Sequence, residues 1–343
     1  MSPPSEQVAV LNPFEKVRHL AQAIHKQVSE RVVGQDDAIA CMTAGLVIGG
    51  HVLVEGVPGL GKTLLAKTLS DAVALRFSRV QFTPDLMPAD ILGTHMVQID
   101  ERGHPQLTLQ HGPIFANVVL ADEINRASPK TQSAMLEAMQ EKQVSLGTTT
   151  YSLKQPFFVI ATQNPLESEG TYPLPDAQLD RFLMKLHIPF PSEEEVLAIV
   201  ARTTGKHEFP VQKVAGGDEI LWAGRTLRNM PVADPVMQHA VRIVFATHPG
   251  SKVAPPSVKR YVKVGASPRA AQSIVLVAKF FAILDGRLNV ALEDIHRAAL
   301  PTLRHRMVRN FDAIADGVTT DALVHEIVKK VPFEKNPAQA AKK

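Results

Sequence analysis

Cysteine is almost missing from this sequence of 343 residues, with Cys41 the single thiol. One cysteine can neither close an intrachain disulfide nor supply a zinc knuckle, so a reducing compartment is expected and Cys41 reads as a small buried apolar residue. Aromatics are sparse at 5%, with one Trp and three Tyr, and no basic patch is interleaved with stacking rings for single-stranded nucleic acid. Charge of neither sign dominates. The 37 Lys and Arg against 34 Asp and Glu leave a formal net charge of +3, too mild to demand a nucleic-acid or membrane partner. No apolar run reaches the length of a membrane span, and the opening residues lack the basic segment and apolar stretch of a secretory signal. No membrane insertion and a cytoplasmic location are therefore expected. What is present is ordinary globular composition, 45% hydrophobic, enough for a substantial core in one large domain or two.

Hydrophobic periodicity divides the chain. After a polar tail, Val17, Leu20, Ala21, Ile24 and Val28 recur at helical spacing within 14–30, and a second helix is predicted over 35–49. Between Val52 and Ala161, apolar runs at 52–55, 80–82, 118–122 and 157–161 alternate with helical patterns, which argues for a parallel sheet between helices. Two stretches with hairpin character, 96–109 and 144–153, interrupt this pattern. From Ser192 onward strand signals vanish and helical spacing recurs over 193–203, 234–247, 267–284 and 319–331. Pro189 and Pro191 mark the junction, so residues 1–190 are read as an α/β core and 191–343 as a helical second domain. Residues 250–266 read as a long loop and the Ala/Lys-rich end beyond Pro337 as frayed.

The strongest motif is Gly56-Val-Pro-Gly-Leu-Gly-Lys-Thr63, which follows an apolar strand and opens a helical pattern. That is the pattern and context of a P-loop. Glycines let backbone N–H groups turn toward phosphates, and the helix N-terminus adds positive potential there. Lys62 would reach the β- and γ-phosphates of ATP and the Thr63 hydroxyl would bind Mg²⁺. A strand at 118–122 ends in Asp122 and Glu123. Asp122 would face the Mg²⁺ site and Glu123 would polarise the water that attacks the γ-phosphate; the alternative is a solvated strand end. The next apolar strand delivers Thr162-Gln-Asn-Pro165, placing Asn164 at the sheet edge where ligands sit, to position that water; the alternative is an Asx turn. Arg181 and Arg126 are two candidates for a charge on the γ-phosphate; the alternative for Arg181 is a surface ion pair with Asp180, and Arg126 could equally brace a subunit interface. Ser267-Pro-Arg269 reads as a helix start, Ser267 its N-cap, where a cation opposes the dipole and Arg269 is better explained by a bound anion; the alternative is an exposed arginine that the helix tolerates.

In this order the motifs resemble the AAA+ ATPases, and their wording is similar to the MoxR family over nearly the whole chain. The resemblance is carried by Val33-Gly-Gln35, by 81–93, by Leu120-Ala-Asp-Glu-Ile-Asn-Arg-Ala127, by Ala161-Thr-Gln-Asn-Pro165, by 174–182 and by Gly265-Ala-Ser-Pro-Arg269. Asp176, where glutamate is expected, is a small departure. The resemblance implies a P-loop αβα core with a hairpin, 94–110, set into its second helix, a helical lid, and a hexameric ring. It implies nucleotide contacts from Val33, Gly34 and Gln35 beside the adenine, from Gly56, Val57, Pro58, Gly59, Leu60, Gly61, Lys62, Thr63 and Leu64, and from Arg269. It also implies Arg181 as an arginine finger acting across a subunit interface, Asn164 as sensor 1 and Arg269 as sensor 2. The role implied is chaperone-like maturation of a client complex with a von Willebrand factor A domain protein.

Two other classes compete with an ATP-hydrolysing motor. One is a nucleotide-gated scaffold, against which Glu123, Asn164 and Arg181 speak. The other is a nucleic-acid motor, for which the basic run Arg304-His-Arg-Met-Val-Arg309 could be cited, although such a run reads more simply as a solvated helix face. His104 and His111 lack metal-ligand spacing and read as surface or hairpin residues.

Overall fold

The protein is described from a computed structural model over residues 12–99, 104–165, 170–205 and 209–334. Helix α1 (Pro13–Ser29) begins at a capping box in which Asn12 accepts from the Phe14 N–H and Glu15 accepts from the Asn12 N–H, with Pro13 supplying the fixed φ of a first turn. Its buried stripe is Val17, Ala21, Ile24 and Val28, the spacing read from the sequence. Helix α2 (Asp36–Ile48) is buried from Ile39 to its end, which is why it lacks an amphipathic pattern, and it stops at Gly49 in the left-handed region at φ +78°.

The core then alternates as expected. Strand β1 (Val52–Glu55) leads to α3 (Lys62–Ala72), β2 (Phe77–Gln81) and a short α4 (Pro88–Leu92). A first hairpin follows, β3 (Gly93–Ile99) against β4 (Pro105–His111), then β5 (Val118–Asp122) and α5 (Pro129–Glu141). A second hairpin, β6 (Gln143–Leu146) against β7 (Thr149–Ser152), precedes β8 (Phe158–Gln163), α6 (Asp176–Leu179) and β9 (Met184–His187). Five of these strands form one parallel sheet in the order β2-β5-β8-β1-β9. Both faces are covered. One core cluster contains Val52, Val54, Leu120 and Ile160 with α1, α2 and α3; the other contains Leu53, Val119, Ala121 and Val159 with α5.

Helices α7 (Glu193–Thr204), α8 (Gly217–Arg228), α9 (Asp234–Ala246), α10 (Pro256–Tyr261), α11 (Pro268–Leu284), α12 (Leu292–Leu303), α13 (Phe311–Ala315) and α14 (Thr320–Lys330) complete the chain. The apolar cluster of α1 and α2 continues without a break into α8, α9, α11, α12 and α14. Cys41 lies within it, and burial pushes its thiol up to about 12.

Several expectations are corrected. The helical half is not free of strands: β10 (Val262–Val264) pairs antiparallel with β11 (Val308–Arg309), and α10 and β10 occupy what reads as a loop over 250–266. Strand β9, too short to show periodicity, adds an edge to the sheet. The first hairpin follows the single turn of α4 directly, and no helix resumes between His111 and β5. Its tip, including Glu101 to Gly103, lies outside the described residues, as does the end beyond Pro337; His104 and His111 are exposed beside or in β4.

The basic run 304–309 is not a solvated face. Arg306 is 7% exposed, and its guanidinium donates to Asp180 Oδ1 at 2.9 Å and to the Phe182, Leu183 and Thr302 carbonyls at 2.7, 3.2 and 2.6 Å. Arg304 pairs with Asp321 at 2.7 Å, and buried His305 bonds the Phe182 carbonyl at 3.0 Å. A buried guanidinium is tolerable only with its donors satisfied, and here most of the partners lie in the segment leading into β9, with Thr302 of α12 as the other. Removing one partner of such a pair leaves the other charge buried, so Arg306→Ala should lower unfolding stability by about 3–5 kcal/mol, read from urea denaturation; a loss under about 1 kcal/mol would show that the contact is incidental.

Candidate functional site

The chain turns from β1 into α3 through Gly56 to Gly61. Gly59 and Gly61 sit at φ +85° and +75°, and a Cβ at either would meet nothing within 4 Å. Torsion rather than crowding therefore asks for glycine at both positions. No acidic residue occupies the first turn of α3, so its leading N–H groups and positive dipole end are uncompensated from within. Lys62 Nζ curls over the loop, donating to the Gly56 and Val57 carbonyls at 2.6 and 2.9 Å. Burial lowers its pKa, against which Asp122 and Glu123 act to raise it.

A cleft of about 240 Å³ joins this loop to the carboxyl ends of β2, β5 and β8, and its walls include Lys62, Thr63, Asp122, Glu123 and Asn164. The five strands are parallel, so all their carboxyl ends meet at this edge. Asp122 is buried. Its Oδ1 accepts from the Thr162 hydroxyl at 2.6 Å, and its Oδ2 accepts from Arg79 Nε at 3.1 Å and Nη2 at 2.6 Å. Glu123 is held at φ +56°, a left-handed turn that a non-glycine residue adopts only when its surroundings fix it. Here the Glu123 N–H donates to the Thr162 hydroxyl oxygen at 2.8 Å. Its carboxylate Oε2 accepts from Gln81 Nε2 at 2.7 Å and from Arg126 Nη1 at 3.1 Å. Asn164 is 7% exposed at the end of β8 and borders the same cleft. Two carboxylates, a cation and a helix N-terminus thus surround one space, groups of the kind that phosphoryl transfer to water uses.

A second cavity of about 230 Å³ adjoins the P-loop on the side of Val33, Gly34 and Gln35, closed by Gly59, Leu60, Leu64 and one face of α7. Gly34 lies at φ +71°, and a Cβ there would collide with the Glu195 side chain. Gln35 donates to the Leu60 carbonyl at 2.9 Å, while its buried Oε1 has no partner.

The remaining two expected arginines stand elsewhere. Arg181 and Arg269 share a cleft with Gly50, His51, Asp180 and Arg306, at the edge where β1 and β9 begin. Four residues of β1 separate that edge from Gly56, roughly 13 Å at about 3.3 Å per residue. Arg181 donates to the Leu136 carbonyl at 3.2 Å, so it is not the ion-pair partner of Asp180. Asp180 instead accepts from Arg306 and from Arg269 at 3.3 Å, and from the Ser267 hydroxyl at 2.9 Å. Ser267 holds the N-cap position of α11, but its side chain serves Asp180 rather than the helix. His51, its pKa lowered to about 4 by burial, is a neutral bridge, with Nδ1 accepting from the Val159 N–H and Nε2 donating to the Met139 carbonyl.

Arg79, Gln81 and Thr162 border the nucleotide-side cleft and escaped the sequence reading as site residues. Thr162 carried a usable signal, a hydroxyl at the end of a buried strand. Arg79 and Gln81 look like ordinary exposed polar residues of an edge strand, and only the β2–β5 register, which sets Gln81 beside Asp122, brings them to the carboxylates.

Comparison with known proteins agrees with this geometry. Residues 51–184 match the ATPase family associated with various cellular activities (AAA), and residues 256–327 match the AAA lid domain. The chain is 42% identical to Chaperone MoxR1 of Mycobacterium tuberculosis, over 92% of this chain and 82% of that protein. It is 28% identical to Protein MoxR of Methylorubrum extorquens, over 84% and 88%. A solved structure of a candidate ATPase from Cytophaga hutchinsonii superposes with a TM-score of 0.88 at 40% identity, covering 94% of this chain and 97% of that one.

Thr162 is the hinge of the acidic wall, touching both carboxylate residues. Thr162→Val keeps the shape and removes both bonds, so ATP turnover should fall about 10- to 100-fold while nucleotide affinity changes little. Steady-state hydrolysis and equilibrium binding on the same preparation check this; an equal loss in both would mean that Thr162 supports the loop rather than the acidic wall.

Proposed function

The chain belongs to the MoxR family of AAA ATPases, and we propose that it completes each ATP site between neighbouring copies of a hexameric ring and uses hydrolysis to mature or remodel partner protein complexes. The observation that carries this reading is the placement of Arg181 and Arg269 at the sheet edge opposite the chain's own P-loop. An arginine aimed at the γ-phosphate acts over hydrogen-bond distance, so these two serve a site on an adjoining chain.

Within a site, the adenine lies beside Val33, Gly34 and Gln35, where the partnerless Gln35 Oε1 suits an exocyclic amine as donor. The loop from Gly56 through Leu64 cradles the phosphates and Lys62 neutralises them. Thr63 and Asp122 offer the hard oxygen donors that suit Mg²⁺. When bound, Mg²⁺ would supply neutralising charge on the triphosphate. Asn164 orients the attacking water and Glu123 accepts its proton as oxygen bonds to the γ-phosphorus. The bond from that phosphorus to the bridging oxygen breaks, and ADP and phosphate leave. The neighbour's Arg181 and Arg269 hold the equatorial oxygens; Arg126, bonded to Glu123, tunes the base within its own chain.

The chaperone role is supported by the relative named Chaperone MoxR1, and collaboration with a von Willebrand factor A domain protein rests on the family resemblance. A cytoplasmic location suits an ATP-dependent chaperone; among the described residues no helix is long and apolar enough to cross a membrane.

Arg181→Ala should retain ATP binding and lose about 10³-fold or more in turnover, whereas Lys62→Ala should lose tight binding of the triphosphate. Mixing Arg181→Ala with Glu123→Gln subunits should restore part of the activity, since some interfaces then pair an intact base with an intact arginine. No recovery, in rings shown by mass to be mixed, would place the whole site within one chain.

A further inference from the structure

The carboxylate that β5 delivers to the cleft is already held by a cation. Arg79, on the neighbouring edge strand β2, places Nε 3.1 Å and Nη2 2.6 Å from the same oxygen, Oδ2 of Asp122, while Oδ1 accepts only the uncharged Thr162 hydroxyl. The two partners differ in freedom. The Asp122 side chain is 11% exposed and fixed by Thr162, whereas that of Arg79 is 49% exposed and borders the open cleft. Arg79 also has a second acceptor in reach, since its Nη2 donates to Gln81 Oε1 at 2.8 Å. A guanidinium with a solvent path and an alternative partner can leave; the carboxylate cannot follow.

We propose that Arg79 is the resident countercation of Asp122 and yields Oδ2 when Mg²⁺ enters with nucleotide, so that it sets the metal concentration at which the site binds ATP tightly. The inference rests on the reading of Asp122 as the metal-side carboxylate. Mg²⁺ takes its oxygens at about 2.0–2.1 Å, and a guanidinium on the same oxygen would repel it across a space too short for screening. The doubly charged ion is attracted more strongly to the carboxylate, while Gln81 and water receive the displaced guanidinium. Before the metal arrives, the same cation keeps two clustered carboxylates, Asp122 and Glu123, from repelling the incoming phosphates. The competing view is a brace, in which Arg79 stays on Asp122 and holds it in position for the metal.

The two views predict opposite signs. Binding of a fluorescent, non-hydrolysable ATP analogue to the full chain would be titrated at stepped free Mg²⁺ for the wild type, Arg79→Gln, Arg79→Lys and Asp122→Asn, with thermal melts confirming that each variant is folded. Arg79→Gln should lower the half-saturating Mg²⁺ concentration about tenfold and weaken binding of the analogue in EDTA. Arg79→Lys, which retains a charge without the fork, should shift the metal requirement in the same direction by a smaller factor. An unchanged or raised requirement in both variants overturns the proposal and leaves the brace. Asp122→Asn should flatten the Mg²⁺ dependence. If it does not, the assignment of Asp122 to the metal fails with everything built on it, whereas a flattened Asp122→Asn curve beside a wrong-signed Arg79→Gln shift removes the countercation alone.

Discussion

All strands of the central sheet run the same way, so one edge collects their carboxyl ends and the other their amino ends. The polar ends of β5 and β8, with the P-loop after β1, fall on the first edge and line one cleft. The segment that enters β9 falls on the second, and with it Asp180, Arg181 and their helical neighbours. A strand only a few residues long is enough to keep the two groups apart, because a side chain cannot reach around the sheet. In the proposed reading the cation that completes the chemistry comes from a second copy, and a dependence of activity on assembly would follow from strand direction.

Charge is balanced separately at each edge. At the nucleotide edge, buried Asp122 and half-buried Glu123 draw on Arg79, Arg126 and Lys62, with Thr162 joining the two carboxylate residues through one hydroxyl. At the other edge, Asp180 accepts from Ser267, Arg269 and Arg306 and so joins the helical half to the approach to β9. Burial makes both arrangements strict, since an unpaired charge in either place is costly. The helical half also shares one apolar core with α1 and α2, so its orientation relative to the sheet is set by packing as well as by Asp180.

Contiguous motifs were legible in the sequence and long-range pairings were not. The P-loop, the Asp122-Glu123 strand end and Asn164 each announce themselves within a few residues, because local backbone geometry dictates glycine, lysine or a polar strand end. The first two and Asn164 line one cleft. Arg306 read as solvated because its partner Asp180 lies 126 residues away, and nothing in its own neighbourhood predicts burial. Arg79 was hidden for the same reason, 43 residues from Asp122 on a strand whose exposed side looks unremarkable. Strands β9, β10 and β11 are too short for a period of two to stand out from the surrounding pattern.

The central claim is that an ATP site needs two chains, and the most direct test is the hydrolysis rate per subunit measured against protein concentration, with Mg²⁺ present and mass followed by light scattering. The account predicts a rate per subunit that rises as monomers give way to rings and then levels off once assembly is complete. A constant rate per subunit from a species that scatters as a monomer would contradict it, leaving a site complete within one chain and Arg181 without a part in the chemistry.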